Sequence, residues 1–307
     1  MRGWLIPIAV ACLALAAPGL LRAGISSDEP AYPRPELLVS GAWLQARLQS
    51  PGMRVVDLRP RQEYDQAHIP GAVSVQPEQL VDRQHPVPGM LAPVPGLETL
   101  LGRLGITNQT RVVAYDGQGG LWAARLLWAL HYLGHEQAAI LNGGWARWRR
   151  EGRPMGQGQS AVEPGRFVAR VQPDRLATAE EVLKALQDPR VVLFDARSPA
   201  EYAGRDVRAK RGGHIPGAIN VDWREHVDAE GTWSPAAEIR ARLERLGITP
   251  DKRIIAYCQT GVRGAHHYVT LKLLGYPDVR VYDGSWAEWG NHPTYPVATG
   301  AMPGRQG

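Results

Sequence analysis

Cysteine is nearly absent from this chain and occurs twice in 307 residues, at Cys12 and Cys258. The first lies within residues 1–23, where Arg2, a broken apolar run and small residues near Ala23 predict a cleavable secretory signal peptide. If that segment is removed, Cys258 is the one thiol that remains. An internal disulfide and a Cys-x-x-C redox pair are then excluded. A single thiol in an oxidising compartment indicates chemistry that needs one sulfur.

Excess charge and unbroken apolar runs are also scarce. Lys plus Arg exceed Asp plus Glu by five over the whole chain, and by three without Arg2 and Arg22. So small and scattered an excess does not predict nucleic-acid binding. The apolar run from Trp4 to Leu21 is interrupted by prolines and a glycine, which favours an export signal over a membrane span. We therefore expect a periplasmic protein that is attached to a membrane only if this segment stays uncleaved.

The rest of the chain repeats one pattern. An apolar strand ending in Asp-x-Arg occurs at Val55–Arg59 and again at Leu193–Arg197. Further matches follow in the same order: His68-Ile-Pro-Gly with His214-Ile-Pro-Gly, Val112–Asp116 with Ile254–Cys258, and Gly144–Trp148 with Ser285–Trp289. Ordered matches of this kind indicate a tandem duplication. Because strands alternate with helical stretches, each copy is predicted to be α/β, with a mostly parallel sheet and helices on both faces.

The repeat also predicts the domain boundaries. We expect a signal peptide at 1–23, an N-terminal domain at 37–150, a linker at 151–172 and a C-terminal domain at 173–300. The linker is rich in glycine, proline and glutamine, and its residues 167–171 form a candidate edge strand. After it, Thr178 and Glu181 have the spacing of a capping box at a helix N-terminus.

The stretch around Cys258 is the most informative. Ile254–Tyr257 is a short apolar run that predicts a buried strand, and apolar positions recur at helical spacing from Val262 to Leu273. Cys258 therefore opens a loop that leads into a helix N-terminus, where unpaired N–H groups and the helix dipole stabilise an anion.

Two interpretations of Cys258 compete. Most free cysteines at the end of a core strand are small buried hydrophobes. Here, however, Gln259, Thr260 and Gly261 are poor core fillers that suit a loop with inward-pointing amides, and Arg263 adds a positive charge. A reactive thiolate is the favoured interpretation.

The first copy serves as an internal control. At the place of Cys258 it has Asp116, followed by Gly117, Gln118, Gly119 and Gly120. A carboxylate cannot act as a sulfur nucleophile. We therefore predict that the C-terminal copy carries the chemistry, and that the N-terminal copy supplies structure and one wall of a cleft.

Four motifs of the second copy belong together: Asp195-Ala-Arg197, His214-Ile-Pro-Gly-Ala218, the loop Cys258–Arg263 and Asp283-Gly-Ser-Trp286. They resemble those of the tandem-domain rhodaneses, the sulfurtransferases that act on thiosulfate or 3-mercaptopyruvate. The resemblance implies two rhodanese-like domains, the first of them catalytically silent. It also implies that Cys258 attacks the donor and carries the sulfur as a persulfide to a thiophilic acceptor such as cyanide or a thiol, without a metal or organic cofactor.

The resemblance implies roles for single residues as well. Loop amides would surround the sulfur, and Arg263 would orient the anionic donor. The substrate-binding residues implied in this way are Gln259, Thr260, Gly261, Val262 and Arg263. Asp195 and Arg197 are predicted to support the strand end by charged hydrogen bonds rather than to touch the substrate.

Donor choice follows less directly. The loop has neither the basic residues of the animal thiosulfate enzymes nor the small residues of the mercaptopyruvate enzymes, and it is more similar to bacterial thiosulfate-type loops. Animal enzymes also tend to have an arginine where this chain has Glu201. We expect thiosulfate as the donor, bound by Arg263 with help from Arg224 or Lys210. The alternatives are a 3-mercaptopyruvate sulfurtransferase and a persulfide carrier without turnover.

A cysteine phosphatase is disfavoured, because such enzymes place one residue more between cysteine and arginine than this loop does. Other residues receive structural interpretations. His214 has a counterpart in the silent copy, which favours a role in the fold. His266 and His267 are adjacent on a helix and point different ways, which argues against a metal pair. Trp286 and Trp289 have the spacing of core residues.

Overall fold

The computed structural model describes Met1 and residues 32–303. Residues 2–23 of the predicted signal peptide lie outside the described residues. In the part of the chain that is described, no helix combines the length and the apolar character needed to cross a membrane.

The N-terminal module alternates strands and helices. Its strands are β1 (Leu38–Val39), β2 (Met53–Asp57), β3 (Val73–Ser74), β4 (Arg111–Tyr115) and β5 (Ala138–Leu141). Its helices are α1 (Gly41–Gln45), α2 (Arg61–Gln66), α3 (Val94–Arg103), α4 (Leu121–Tyr132) and α5 (Gly144–Arg150). Short 3₁₀ turns occur at Pro35–Leu37 and Pro77–Leu80.

The C-terminal module repeats this order. Its strands are β6 (Leu176–Ala177), β7 (Val191–Asp195), β8 (Ile219–Asn220), β9 (Arg253–Tyr257) and β10 (Val279–Tyr282). Its helices are α6 (Ala179–Ala185), α7 (Pro199–Tyr202), α8 (Ala236–Arg245), α9 (Val262–Leu273) and α10 (Ser285–Trp289). Its 3₁₀ turns are Pro173–Arg175 and Trp223–His226.

Each module is organised around one five-stranded sheet. The strand orders are β1-β5-β4-β2-β3 and β6-β10-β9-β7-β8, and every pairing within them is parallel. The two orders are equivalent, as a tandem duplication requires. In β9, Ile254 and Ile255 point to opposite faces and are buried in different apolar clusters, so the sheet is covered on both sides. The predicted fold class is confirmed.

Local sequence signals account for several element ends. Thr178 accepts a hydrogen bond from the N–H of Glu181 at 3.2 Å, and the Glu181 carboxylate accepts one from the N–H of Thr178 at 2.9 Å, as the capping box predicted. The candidate edge strand at 167–171 is wrong. Instead of joining a ladder, Val168 donates its N–H to the side chain of Asn108, and Arg170 donates to the carbonyl of Leu133.

The two modules share a core. Helices α4 and α9 pack against each other, and Leu127 and Val269 belong to one apolar cluster that includes residues of both sheets. His131 Nδ1 lies 3.1 Å from the hydroxyl of Tyr268 across this contact. Since α4 follows Asp116 and α9 follows Cys258, the two equivalent loops lie at the ends of the helices that join the modules.

Candidate active site

Cys258 lies at the carboxyl end of the central strand β9 and its residue is 1% exposed. It packs in a small apolar cluster with Ala196 and Trp223, against which Leu121 of the N-terminal module also packs. Both modules therefore form the walls around the thiol, in agreement with the predicted cleft wall. The low exposure leaves little surface at which a reactant can reach the thiol.

Ser285 fixes the loop that begins at Cys258. Its Oγ accepts hydrogen bonds from the N–H groups of Cys258 and Gly261, each at 3.1 Å, and donates to the carbonyl of Tyr282 at 2.8 Å. Its backbone has φ +49°, in the left-handed region that costs a residue with a side chain about 1–2 kcal/mol. The equivalent Gly144 of the silent module has φ +50°. The serine therefore stands at a glycine-type position because its hydroxyl ties the loop together.

The loop leads into the amino end of α9 as the sequence predicted. Gly261 is the N-cap with φ +77°, and the first-turn N–H groups of Val262, Arg263 and Gly264 have no acceptor within the helix. The loop carbonyls are also held, since Trp286 donates to the carbonyl of Cys258 at 2.9 Å. The arrangement can bind and stabilise a small anion at the thiol.

Arg263 does not present a free guanidinium. Its Nη1 and Nη2 donate to the two carboxylate oxygens of Glu201 at 2.6 and 2.8 Å, and the Glu201 side chain is 2% exposed. Burial alone would raise the pKa of Glu201, but the hydrogen bonds and charge of Arg263 outweigh it and lower that pKa to about 2. Glu201, which stands where the animal enzymes tend to have an arginine, is thus the partner of the loop arginine.

A third charge lies next to this pair. Arg208 Nη1 is 3.6 Å from Glu201 Oε1, its Nη2 is 2.7 Å from Asp206 Oδ2, and its side chain is half-exposed. Its backbone carbonyl also accepts a hydrogen bond from the Gln259 side chain at 3.0 Å. Of the two helpers suggested by the sequence, Arg224 is exposed and lies 3.4 Å from Asp222, and Lys210 is exposed on the surface. Neither Arg224 nor Lys210 forms a hydrogen bond or ion pair with Arg263 or Glu201.

Asp195 and Arg197 form a buried bidentate pair beside the site. The guanidinium donates to both carboxylate oxygens, with the shortest contact at 2.6 Å, and to the carbonyl of Gly213 at 2.8 Å. It also lies 4.5 Å from the Trp286 ring centre. Asp57 and Arg59 repeat this pair in the silent module with the same 2.6 Å contact. This geometry supports the predicted role as a brace.

Asp116 shows what the equivalent loop binds in the silent module. Its carboxylate accepts four backbone hydrogen bonds at 2.7–3.0 Å, from the N–H groups of Gln118, Gly120, Trp122 and Ala123. Burial raises the pKa of Asp116, and these four donors oppose that shift. A carboxylate held in this way fills an anion-binding loop with its own side chain and leaves no nucleophile.

The remaining predicted residues line the loop or the core. Thr260 contacts Gly89, so the loop touches the N-terminal module, and Val262 is buried. His214 stacks on the Tyr202 ring at 3.6 Å, which supports a role in the fold. His266 stacks on Trp233 and His267 on Phe194, so the two imidazoles point to different partners. Among residues 32–303 no group of three or more His, Cys, Asp and Glu side chains could hold a metal ion.

A fold of two parallel-sheet modules, with one cysteine at a helix N-terminus in the second module, defines a thiol-dependent anion-binding α/β protein. The model of the rhodanese-like domain matches residues 40–151 and 178–292. The chain therefore belongs to the rhodanese family.

Three similar proteins are covered over nearly their whole length. A thiosulfate sulfurtransferase of Azotobacter vinelandii is 42% identical over 85% of this chain and 96% of its own. The sulfur carrier protein TtuD of Thermus thermophilus is 39% identical over 88% of this chain and 99% of its own. The crystal structure of SseA from Escherichia coli is described as a 3-mercaptopyruvate sulfotransferase with a "rhodanese" fold. It is 32% identical, covers 81% of this chain and 98% of its own, and has a TM-score of 0.75.

Proposed function

We propose that this protein is a thiosulfate sulfurtransferase that carries sulfur on Cys258. The observation that carries the proposal is the buried thiol at the carboxyl end of β9, in a loop that Ser285 fixes and that leads into the amino end of α9. Relatives named thiosulfate sulfurtransferase, from Azotobacter vinelandii and Bos taurus among others, support the donor.

The chemistry needs two displacements at sulfur. The Cys258 thiolate attacks the outer sulfur of thiosulfate, a new S–S bond forms, and sulfite leaves with the electron pair of the bond that breaks. The terminal sulfur of the persulfide then carries the negative charge. An acceptor nucleophile, such as cyanide or a thiol, attacks that sulfur and releases the thiolate. Amides at the amino end of α9 stabilise the anionic sulfur in both states.

The charges around the loop do not decide the donor. Arg263 pairs with Glu201, and Arg208 pairs with Asp206 at 2.7 Å, so the four side-chain charges balance. The preference for thiosulfate rests on the relatives that bear that name. The relation to SseA makes 3-mercaptopyruvate the second candidate donor. The relation to the carrier TtuD makes single loading without turnover the second candidate function.

Intact-mass measurement tests the proposal. The full chain is incubated with thiosulfate or 3-mercaptopyruvate, and one added sulfur is expected on the wild type and none on Cys258→Ser. Repeated turnover with cyanide then separates an enzyme from a carrier, because a carrier would release one sulfur per chain and stop. Sulfur on any residue other than Cys258, or none with either donor, would overturn the assignment.

We also propose that the protein is exported to the periplasm. Support comes from the composition of residues 1–23 and from the occurrence of a single cysteine in the remaining chain. Cell fractionation and N-terminal sequencing of the mature protein test this, and a cytoplasmic protein that begins at Met1 would contradict it.

A further inference from the structure

A buried arginine of the silent module reaches the catalytic module. Arg125 lies on α4, is 0% exposed, and donates from Nη1 to Oδ1 of Asp283 at 2.5 Å. Its Nη2 donates to the carbonyl of Gly89 at 3.0 Å. The other carboxylate oxygen of Asp283 accepts from the N–H of Leu91 at 2.7 Å. One ion pair thus joins a helix and a loop of the first module to the end of β10 in the second.

Asp283 stands next to the residues that hold the cysteine loop. It precedes Gly284 and Ser285, and Ser285 binds the N–H groups of Cys258 and Gly261. Any displacement of Asp283 is therefore passed along two peptide units to the hydroxyl that fixes the loop.

The ion pair also touches the loop itself. A methyl group placed on Gly261 would lie 2.4 Å from Asp283 Oδ1 and 2.7 Å from Arg125 Nη1, so the Gly261 backbone rests directly on the pair. A methyl group on Gly89 would lie 2.4 Å from Cβ of Thr260. Arg125 therefore supports the two loop residues that precede α9, one through Asp283 and one through Gly89.

Stability alone does not explain a buried pair of this kind. Removing two charges from water costs free energy that their attraction often does not recover, and apolar side chains of similar size would stabilise the contact between modules at least as well. Leu127 of α4 and Val269 of α9 already join the two modules through the shared apolar core.

We propose that Arg125 is a positioning residue for sulfur transfer: through Asp283 and Gly89 it holds Thr260 and Gly261 so that the loop amides face the sulfur of Cys258. The inference rests on the proposed function of Cys258. It gives the silent module a direct part in the reaction, although that module contacts the loop without supplying a nucleophile.

The test compares Arg125→Met with Tyr268→Phe in the full chain. The control removes a different buried polar contact between the modules, the 3.1 Å contact of Tyr268 on α9 with His131 on α4, and leaves the loop untouched. We expect Arg125→Met to reduce the limiting single-turnover rate of persulfide formation, measured at saturating thiosulfate, at least tenfold. The thiosulfate concentration that gives half of this rate should change less. Tyr268→Phe should stay within twofold of wild type. Arg125→Lys, which can make one of the two contacts, should recover part of the loss.

Folding and function are separated by two further measurements. If Arg125→Met does not fold, the double variant Arg125→Met/Asp283→Asn removes both charges and takes its place, with the same expected loss. If the wild type accepts no sulfur from either donor, the proposed function fails, and the alkylation rate of Cys258 by iodoacetamide still tests the positioning. That rate should differ from wild type at least threefold in Arg125→Met and not in Tyr268→Phe. A folded Arg125 variant with wild-type loading and alkylation rates would overturn the inference.

Discussion

Replacing Ser285 tests whether its hydroxyl organises the reactive loop. The hydroxyl makes three hydrogen bonds in the interior, two from loop N–H groups and one to the carbonyl of Tyr282. Ser285→Ala removes all three and keeps the left-handed backbone. Ser285→Gly removes the same bonds and relieves the backbone. The pair of variants separates the hydroxyl from the conformation.

The magnitudes follow from those contacts. A hydrogen bond contributes about 1 kcal/mol net, so Ser285→Ala is expected to lose about 3 kcal/mol of unfolding free energy. Glycine regains about 1–2 kcal/mol at φ +49°, offset by about 0.5–1 kcal/mol from its greater freedom in the unfolded chain. Ser285→Gly should therefore be the more stable variant. Activity should not follow that order, because both variants leave the Cys258 and Gly261 amides unheld, and kcat should fall about tenfold or more in each.

Urea unfolding and steady-state sulfur transfer to cyanide give the two quantities. Thr270→Val is a matched control, because Thr270 also has a buried hydroxyl, which accepts from Trp233 at 3.1 Å and donates to His266 at 3.0 Å away from the loop. It should lose stability and keep kcat. If Ser285→Gly retained the kcat of the wild type, the hydroxyl would have no part in arranging the loop.

Three further results are expected. Asp116→Asn should lose about 2–4 kcal/mol in urea unfolding, because an amide cannot accept all four N–H bonds, with kcat unchanged; a folded variant with collapsed turnover would give the silent loop a catalytic role. Arg263→Ala should raise the thiosulfate KM about tenfold or more, equivalent to about 1.4 kcal/mol, because it leaves the Glu201 carboxylate without its main partner. Glu201→Gln should lower the thiosulfate KM. Equal KM values in the wild type, Arg263→Ala and Glu201→Gln would contradict a role of Arg263 in donor binding. Burial lowers the pKa of His266 to about 4 and that of His226 well below its ordinary value, so both are neutral in the fold. As the pH falls, these histidines bind protons in the unfolded chain before they do so in the folded one. The free energy of unfolding should therefore fall by about 1.4 kcal/mol per pH unit for each histidine below about pH 6.5. An unfolding free energy that stays constant between about pH 6.5 and 5 would refute this expectation.

The elements around the thiol could be predicted because their signals are local. Ile254–Tyr257 is too short and too apolar for anything but a buried strand, and the helical spacing that begins at Val262 and reaches Leu273 gives the observed bounds of α9. The wrong edge strand at 167–171 shows the limit of such signals. Its N–H groups found side-chain and helix-end partners that no local pattern encodes.

The contacts that shape the site were not predictable in the same way. Glu201 and Arg263 are far apart in the chain, and their pairing depends on how α7 lies against the start of α9. Arg125 and Asp283 meet only because two modules pack together. Ser285 did leave a signal, since it aligns with Gly144, and a serine in place of a glycine in a repeat indicates that the hydroxyl compensates for backbone strain.

The two equivalent loops divide the chemistry between them. In the first, four N–H groups close around the Asp116 carboxylate, which shows that this backbone geometry binds an anion. In the second, the same strand-to-helix turn presents the thiol of Cys258 in place of a carboxylate. The second loop has no carboxylate of its own to bind its N–H groups. Ser285 and the Asp283–Arg125 pair hold the loop in place instead. Because one member of that pair belongs to the first module, competence for sulfur transfer is a property of both modules together.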